Sequence, residues 1–380
     1  MKLLCSQEEL VRSLQIVTRV IPARSTMPIL SGLLLETRDD QLFCFGSDLE
    51  VGIEIKIPEV TIITPGRIVV SGRTFYDAIR HLPPGRIEMG IDDGEKTFNI
   101  KTANSFFSLN IFPAEEYPAL PEGIKTINLL REDKNRDRDA LFLFSLQAAV
   151  FREAVKQSVY ATAPQDSRPF LSSILWEFDE GNLRMVATDI NRLVIKDLSI
   201  KCSSKNSFLV PVKALKEITT ILENDDEQID FLLVNKQLYA VSRGVVFYTR
   251  LINAQFPRYE QVIPKEFDGQ VAFERSTFLS ALTRSSLIDR AVKLSFSEDN
   301  INIFATEPDL GQFSEKLSGS YDGEPLEIGF NSQYIIDFLK VVGDEGQIVF
   351  NLSKGMKASV LKLNNNEKYT YVIMPLRLNY

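Results

Sequence analysis

The sequence predicts an α+β protein made of three similar domains, each with more strand than helix. One segment occurs three times, as VVSGRTFYDAIRHL, LVPVKALKEITTIL and IGFNSQYIIDFLKVV, with Val70, Val210 and Phe330 in equivalent places. These copies lie 140 and 120 residues apart, and a repeat of that period indicates one domain copied three times. The length of 380 residues accommodates three domains of ordinary size.

Two helices are predicted in each copy, because apolar residues recur at helical spacing. Ser6, with Glu9 three residues later, is typical of a capping box before the first helix. Ser276 or Thr277 is expected to begin the first helix of the third copy. The six predicted helices span residues 7–20, 72–82, 146–159, 211–222, 274–288 and 331–342.

Between the helices, short alternating segments bounded by Gly, Asp and Asn predict strands in antiparallel sheets. The predicted strands include Leu33–Glu36, Gln41–Gly46, Gly52–Ile57, Leu183–Ala187, Lys293–Phe296 and Ile301–Phe304. Copies one and two both end with Phe-Pro, a Tyr, and an apolar residue before Pro121 or Pro264. Proline has no backbone N–H, so a sheet ladder ends there and a connector follows. We therefore predict domains at residues 1–126, 140–264 and 265–380, with a charged linker or insert at 127–139.

Composition limits the compartment and the partners. Cys5, Cys44 and Cys202 are odd in number and far apart, which fits neither a disulfide framework nor a zinc site and favours a reducing compartment. Charge follows the N-terminus within a few residues, unlike a signal peptide, and no apolar run is long enough for a membrane span. We expect a cytoplasmic protein with no membrane partner.

Residues for catalysis are not evident in the sequence. His81 is the only histidine, it lies at a predicted helix end, and a general base needs a partner that it lacks. Trp176 lies in an alternating strand and is predicted to be core. We expect no catalytic residue, no metal and no cofactor, and the alternative is an enzyme with a cryptic carboxylate site.

The charge is unevenly distributed. Net charge is −8, which would argue against nucleic acid if it were spread evenly. The six predicted helices instead have eleven bases and seven acids, a sum of +4, so the rest of the chain sums to −12. Basic helices on an acidic protein favour one phosphate-binding face. The alternative is that Arg73–Asp77 and Lys213–Glu217 are ordinary i,i+4 pairs.

Seven motifs connect the chain to a known family: RSTMPILSGLLLE, GSDLEVGI, SGRTFYDAIRHLP, QDSRPFLSSILWEF, ATDINRLVI, FPRYEQVIP and YVIMPLRL. In order and spacing, from Met1 to Leu378, the chain resembles the bacterial DNA polymerase III beta subunit, the sliding clamp of the replisome. The resemblance implies a non-catalytic bacterial processivity factor. It also implies a head-to-tail homodimer of clamp-type domains, in which helices line a hole for double-stranded DNA and sheets form the outside.

The resemblance also implies partners and site residues. The implied partners are the replicative polymerase catalytic subunit, the clamp-loader complex, and other polymerases and repair proteins with short clamp-binding peptides. The positions implied to face DNA are Arg24, Arg73, Gln165 and Lys213, although Arg24 could equally be a surface residue in a turn. Phe107 and Leu109 match one side of the dimer contact, and Leu287 and Ile288 match the other. Taken without the resemblance, such apolar residues would be assigned to the core.

A partner-peptide groove is implied between copies two and three. Its matching positions are Arg168, Leu171, Thr188, Arg192, Leu193, Pro257, Val262, Val372, Met374, Pro375, Leu376 and Arg377. The sequence adds its own support, because the apolar end Met374-Pro375-Leu376 has no fourth copy to cover it. The alternative is that this tail completes the last sheet.

Four features depart from the family pattern. Ile190 and Asn191 stand where the family has Gly-His, which predicts a bulkier and less polar groove. The segment DRAVKL is shorter than the usual loop, REDKNRDRDA looks inserted, and Asn379-Tyr380 extend the tail. A binding scaffold with no nucleic-acid role remains the second hypothesis.

Overall fold

The computed structural model describes residues 1–91, 96–124, 127, 142–202, 205–222, 224–343, 347–364 and 366–378. The chain forms two compact units: unit 1 is Met1–Ala149 with Ala214–Leu251, and unit 2 is Val150–Lys213 with Ile252–Tyr380. Apart from residue 127, the predicted linker lies outside the described residues, and so do the last two residues of the tail. Their roles stay predictions.

Six α-helices lie within the six segments predicted from the repeat. They are α1 (Gln7–Val17), α2 (Gly72–Arg80), α3 (Ala148–Val159), α4 (Val212–Ile221), α5 (Arg275–Ser285) and α6 (Ser332–Val341). Val70, Val210 and Phe330 are fully buried directly before α2, α4 and α6, as the repeat predicts.

Two predicted helix caps are wrong. The Ser6 hydroxyl donates to the Glu8 carboxylate at 2.9 Å and makes no cap bond, because a nearer acid competes for it. The N-cap of α5 is Glu274, whereas Ser276 or Thr277 was predicted. Its carboxylate accepts from the backbone N–H groups of Ser276 and Thr277 at 2.9 and 2.7 Å.

The strands run through the whole chain, and every predicted strand lies within one of them. The first ten are β1 (Lys2–Ser6), β2 (Gly32–Arg38), β3 (Gln41–Ser47), β4 (Val51–Ile57), β5 (Thr61–Thr64), β6 (Arg67–Ser71), β7 (Arg86–Gly90), β8 (Thr97–Lys101), β9 (Phe106–Phe112) and β10 (Phe142–Gln147). The next seven are β11 (Ser173–Asp179), β12 (Asn182–Thr188), β13 (Arg192–Ser199), β14 (Asn206–Pro211), β15 (Gln228–Val234), β16 (Gln237–Ser242) and β17 (Val245–Arg250). The last nine are β18 (Gly269–Phe273), β19 (Ala291–Ser297), β20 (Asn300–Glu307), β21 (Gly311–Ser318), β22 (Ser320–Gly323), β23 (Leu326–Asn331), β24 (Ile348–Leu352), β25 (Ser359–Leu363) and β26 (Tyr369–Ile373).

These strands form three sheets. Unit 1 has one sheet in the order β10-β15-β16-β17-β4-β3-β2-β6-β9-β8-β7-β1-β5. Unit 2 has a larger sheet, β14-β11-β12-β13-β26-β25-β24-β18-β22, and a smaller one, β21-β20-β19-β23. Trp176 of β11 is fully buried and packs edge-on against the Phe151 ring, which confirms its predicted core position.

Each large sheet joins strands from two successive copies of the repeat. In unit 1, β17 pairs with β4 and sets Tyr248 opposite Gly52. In unit 2, β26 pairs with β13 and sets Val372 opposite Leu193. β26 lies inside its sheet, between β13 and β25, and ends at Ile373. Leu376 of the tail then forms a bridge with Gly329 of β23, so the tail adds to the smaller sheet, as the alternative interpretation predicted.

Candidate functional site

An apolar groove of about 270 Å³ opens on unit 2. That volume is close to the lower end of the ~300–1,000 Å³ typical of ligand pockets. The groove is lined by Phe170, Thr188, Ile190, Arg192, Leu193, Pro257, Arg258, Tyr259, Val262, Val372 and Met374. Hereafter this surface is called the apolar groove.

Seven of the twelve residues predicted for a partner groove line it: Thr188, Arg192, Leu193, Pro257, Val262, Val372 and Met374. Of the remaining five, Leu171 and Pro375 are buried, while Arg168, Leu376 and Arg377 are exposed outside the lining. The predicted set omitted Phe170, Arg258 and Tyr259, and it named Ile190 only as a departure. Since Phe170 precedes Leu171 and Tyr259 follows Pro257 by two positions, the motifs themselves contained the signal for both.

The pair of residues at one point of the large sheet differs between the two units. In unit 1, Tyr248 lies opposite Gly52, its hydroxyl is 2.7 Å from the Ser47 hydroxyl, and a side chain on Gly52 would clash with the Tyr248 ring. In unit 2, Val372 lies opposite Leu193, and both residues line the apolar groove. Unit 2 thus has two aliphatic side chains where unit 1 has a glycine covered by an aromatic ring.

A tight turn between β12 and β13 forms one wall of the groove. The Thr188 hydroxyl donates to the Arg192 carbonyl at 2.7 Å and accepts from the Ile190 N–H at 3.0 Å. The Asp189 carboxylate accepts from the backbone N–H groups of Asn191 and Arg192, at 3.0 Å each. The Met374 N–H then donates to the Asn191 carbonyl at 2.9 Å, which fixes the chain end against this turn.

Arg192 supports the turn from within the protein. Its side chain is only 9% exposed. The guanidinium bonds to the Asp189 carboxylate at 2.8 Å, the Asp337 carboxylate at 2.7 Å and the Tyr160 carbonyl at 2.6 Å. It also lies 4.5 Å from the centre of the Tyr334 ring. This network links the groove wall to α6, so Arg192 positions the wall.

The four residues predicted to face DNA are all exposed. Arg24 and Arg73 belong to unit 1, and Gln165 and Lys213 belong to unit 2. Arg73 and Lys213 are each the second residue of a helix, α2 and α4.

The acids of the alternative i,i+4 pairs have other partners. Asp77 pairs with Arg80 at 3.5 Å, and Glu217 pairs with Arg19 at 2.9 Å.

The residues predicted for the dimer contact lie at open surfaces. Phe107 is 36% exposed. Among the described residues, its part of β9 pairs only with β8, because β6 pairs with Ile111 and Phe112 further along β9. Leu287, directly after α5, is 75% exposed. Leu109 and Ile288 are half-buried.

Within the described ranges, no group of three or more His, Cys, Asp or Glu side chains could hold a metal ion. His81 is exposed at the end of α2, with Nδ1 2.7 Å from the Asp77 carbonyl oxygen, as expected of a capping residue. Burial raises the pKa of the Cys5 thiol to about 12. Across the described part of the chain, no helix is both long and apolar enough to cross a membrane.

Comparison with known proteins identifies the family. Three family models, for the N-terminal, central and C-terminal domains of the DNA polymerase III beta subunit, match residues 1–121, 145–258 and 260–377. The beta sliding clamp of Pseudomonas aeruginosa is 30% identical over 378 residues, which cover 98% of each chain. The chain belongs to the DNA polymerase III beta subunit family.

Solved structures of the family share the fold. A DNA polymerase sliding clamp from Bacillus subtilis has a TM-score of 0.91 and 27% identity, with 100% of both chains covered. A Pseudomonas aeruginosa sliding clamp bound to griselimycin has a TM-score of 0.87 and 29% identity over the same coverage.

Family membership decides among the hypotheses. The protein is a DNA sliding clamp, a processivity factor and not an enzyme, with three similar α+β domains. The predicted recognition, fold class and function are confirmed, and the enzyme and scaffold alternatives are wrong. The domain boundaries at residues 126, 140 and 264 stay predictions.

Proposed function

We propose that the apolar groove binds short peptides of the proteins that this clamp tethers to DNA. The proposed partners are the replicative polymerase catalytic subunit, the clamp-loader complex, and other polymerases and repair proteins. The observation that supports this most directly is the apolar groove itself, which Leu193 and Val372 line on unit 2. Met374 adds a flexible side chain that adapts to different peptides.

The groove has the character of a peptide site. Phe170, Leu193 and Val262 supply apolar contact area, and the exposed Arg258 supplies charge at the rim. A central apolar contact surrounded by polar residues is where binding energy concentrates in protein interfaces. Arg168 and Arg377 are proposed to extend that rim.

Griselimycin provides a probe, because a relative has been crystallised with it. In isothermal titration calorimetry, we expect Met374→Asp to weaken griselimycin binding at least tenfold, since a carboxylate would be desolvated in apolar surroundings. A double variant, Leu193→Gly with Val372→Tyr, should fill the groove as in unit 1 and also weaken binding. Met356→Asp is the matched control, because Met356 is exposed and does not line the groove. Equal binding by the control and Met374→Asp would contradict the proposal.

DNA is proposed to contact Arg24, Arg73, Gln165 and Lys213 through its phosphates. Contacts to phosphates do not depend on base sequence, so they attract the duplex and still permit sliding. The exposed positions of the four residues on a chain of net charge −8 are consistent with a locally basic surface on each unit. We propose the bacterial cytoplasm as the compartment.

We also propose that two chains join head to tail into a ring. On one chain, Phe107 and Leu109 lie on the open stretch of β9, which can accept a further strand. On the other, Leu287 and Ile288 follow α5. Arg284 of α5 pairs with Glu315 of the edge strand β21, so an apolar helix end lies beside another open edge.

A further inference from the structure

Ile190 has a backbone conformation that its side chain disfavours. Its φ is +81°, and a β-branched residue with positive φ is an outlier, whereas glycine adopts this region freely. The turn bonds made by Thr188 and Asp189 hold the backbone there. Backbone outliers of this kind cluster at binding sites, which makes the Ile190 side chain a candidate contact residue.

The same turn occurs in unit 1 and serves as an internal reference. Leu49 has φ +75°, and its N–H donates to the Ser47 hydroxyl at 2.9 Å. The Asp48 carboxylate accepts from the N–H groups of Glu50 and Val51 at 3.0 and 2.8 Å. The two turns therefore share their conformation, their hydroxyl bond and their carboxylate bonds.

The two apolar side chains differ in what covers them. Leu49 is half-buried and packs against a core cluster that contains Phe45, Tyr117 and Tyr248. In unit 1, packing thus compensates for the unfavourable backbone. Ile190 lines the apolar groove and is 53% exposed, so the free protein lacks the corresponding cover.

We propose that Ile190 is a specificity-determining residue, and that the apolar side chain of a bound ligand covers it as the unit 1 core covers Leu49. This inference rests on the proposed function of the apolar groove. It assigns Ile190 a contact that favours apolar ligands and disfavours polar ones at that wall. A half-exposed isoleucine still has apolar area to bury, which is the source of the added affinity.

The test compares three substitutions by griselimycin titration and thermal unfolding. Ile190→Gly removes the contact and relaxes the backbone, so it should weaken binding about fivefold, or ~1 kcal/mol, and leave the melting temperature unchanged or raised. Ile190→Ala removes the contact but keeps the disfavoured φ, so it should weaken binding similarly without raising the melting temperature. Leu49→Gly, the matched control, should lower the melting temperature and leave binding unchanged.

Unchanged griselimycin affinity in Ile190→Gly would overturn this inference. If Met374→Asp still abolished binding in that case, the proposed groove would stand without the role of Ile190. If the wild-type protein bound no griselimycin, the proposed groove and this inference would both be overturned.

Discussion

Arg192 lines the apolar groove and also supports its wall from within the protein. Its guanidinium forms ion pairs with Asp189 and Asp337 and donates to the backbone carbonyl of Tyr160. These bonds hold the guanidinium inside the protein, where it stabilises the groove wall. Removing the guanidinium would take three charge-assisted bonds from partly buried partners at once, and that cost is much larger than the loss of a surface pair.

We therefore expect Arg192→Ala to lower the free energy of unfolding by about 3–5 kcal/mol. Arg168→Ala is the control, because Arg168 is exposed and pairs only locally with Asp166, so about 0.2–1 kcal/mol is expected there. Urea unfolding followed by circular dichroism measures both. If both variants lost a similar small amount of unfolding free energy, Arg192 would not position the groove wall.

Glu274 leads to a prediction about pH. The hydroxyl groups of Ser276 and Thr277, followed by the backbone N–H groups of the same two residues, donate to its carboxylate and lower its pKa from 4.5 to about 2. A lowered carboxyl pKa stabilises the folded state above the unfolded value, and this stabilisation is lost as pH falls through the folded value.

The melting temperature of wild type should thus exceed that of Glu274→Ala at pH 7. The difference should shrink between pH 4.5 and about 2, the interval between the two pKa values. Differential scanning calorimetry across pH 2–7 measures it. A difference that stays constant with pH would contradict the capping role.

At the scale of elements, the helices were predictable because the repeat places a buried residue before α2, α4 and α6 and apolar spacing continues into each helix. The capping bonds could not be predicted from the sequence. The Ser6 hydroxyl can bond either to Glu8 or to the backbone, and the folded geometry decides between them. The pairing of β26 with β13 could not be predicted either, because alternation of apolar and polar residues identifies strands but not their partners.

The candidate site was predictable where motifs mark it and not where packing creates it. Thr188 and Met374 came from motif positions. The groove lies where the pair Leu193 and Val372 stands in place of Gly52 and Tyr248, and no local pattern shows which of two equivalent strand pairs leaves space. The turn at Ile190 was visible as a departure, but its positive φ was not.

Docking of the chain end depends on close backbone contact with β23. The Leu376 N–H donates to the Gly329 carbonyl at 2.7 Å, and a side chain on Gly329 would clash with the Leu376 carbonyl oxygen. Because that neighbour is backbone, we expect Gly329→Ala to cost about 1–3 kcal/mol of unfolding free energy. Gly343→Ala, where no neighbour approaches an added methyl group, should change little. If Gly329→Ala and Gly343→Ala lowered the melting temperature equally, the docking of Leu376 would not depend on the close contact with Gly329.

At the scale of the whole molecule, the proposed head-to-tail dimer predicts that the mass in solution depends on Leu287. Leu287→Asp should shift the protein from dimer to monomer at micromolar concentration, because it would set a charge in an apolar contact. Met356→Asp, at another exposed apolar position outside the proposed contact, should remain a dimer. Sedimentation velocity distinguishes the two states. If Leu287→Asp remained a dimer, the dimer contact would not include Leu287.

Encirclement is the central claim, and retention on DNA of different topology tests it most directly. After loading by a clamp loader, the protein should remain on closed circular double-stranded DNA and leave once the circle is cut to a linear molecule with free ends. Reversing Arg73 and Lys213 to Glu should reduce the amount loaded without removing the dependence on topology. Equal loss from circular and linear DNA, or equal retention on both, would contradict a ring that encloses the duplex.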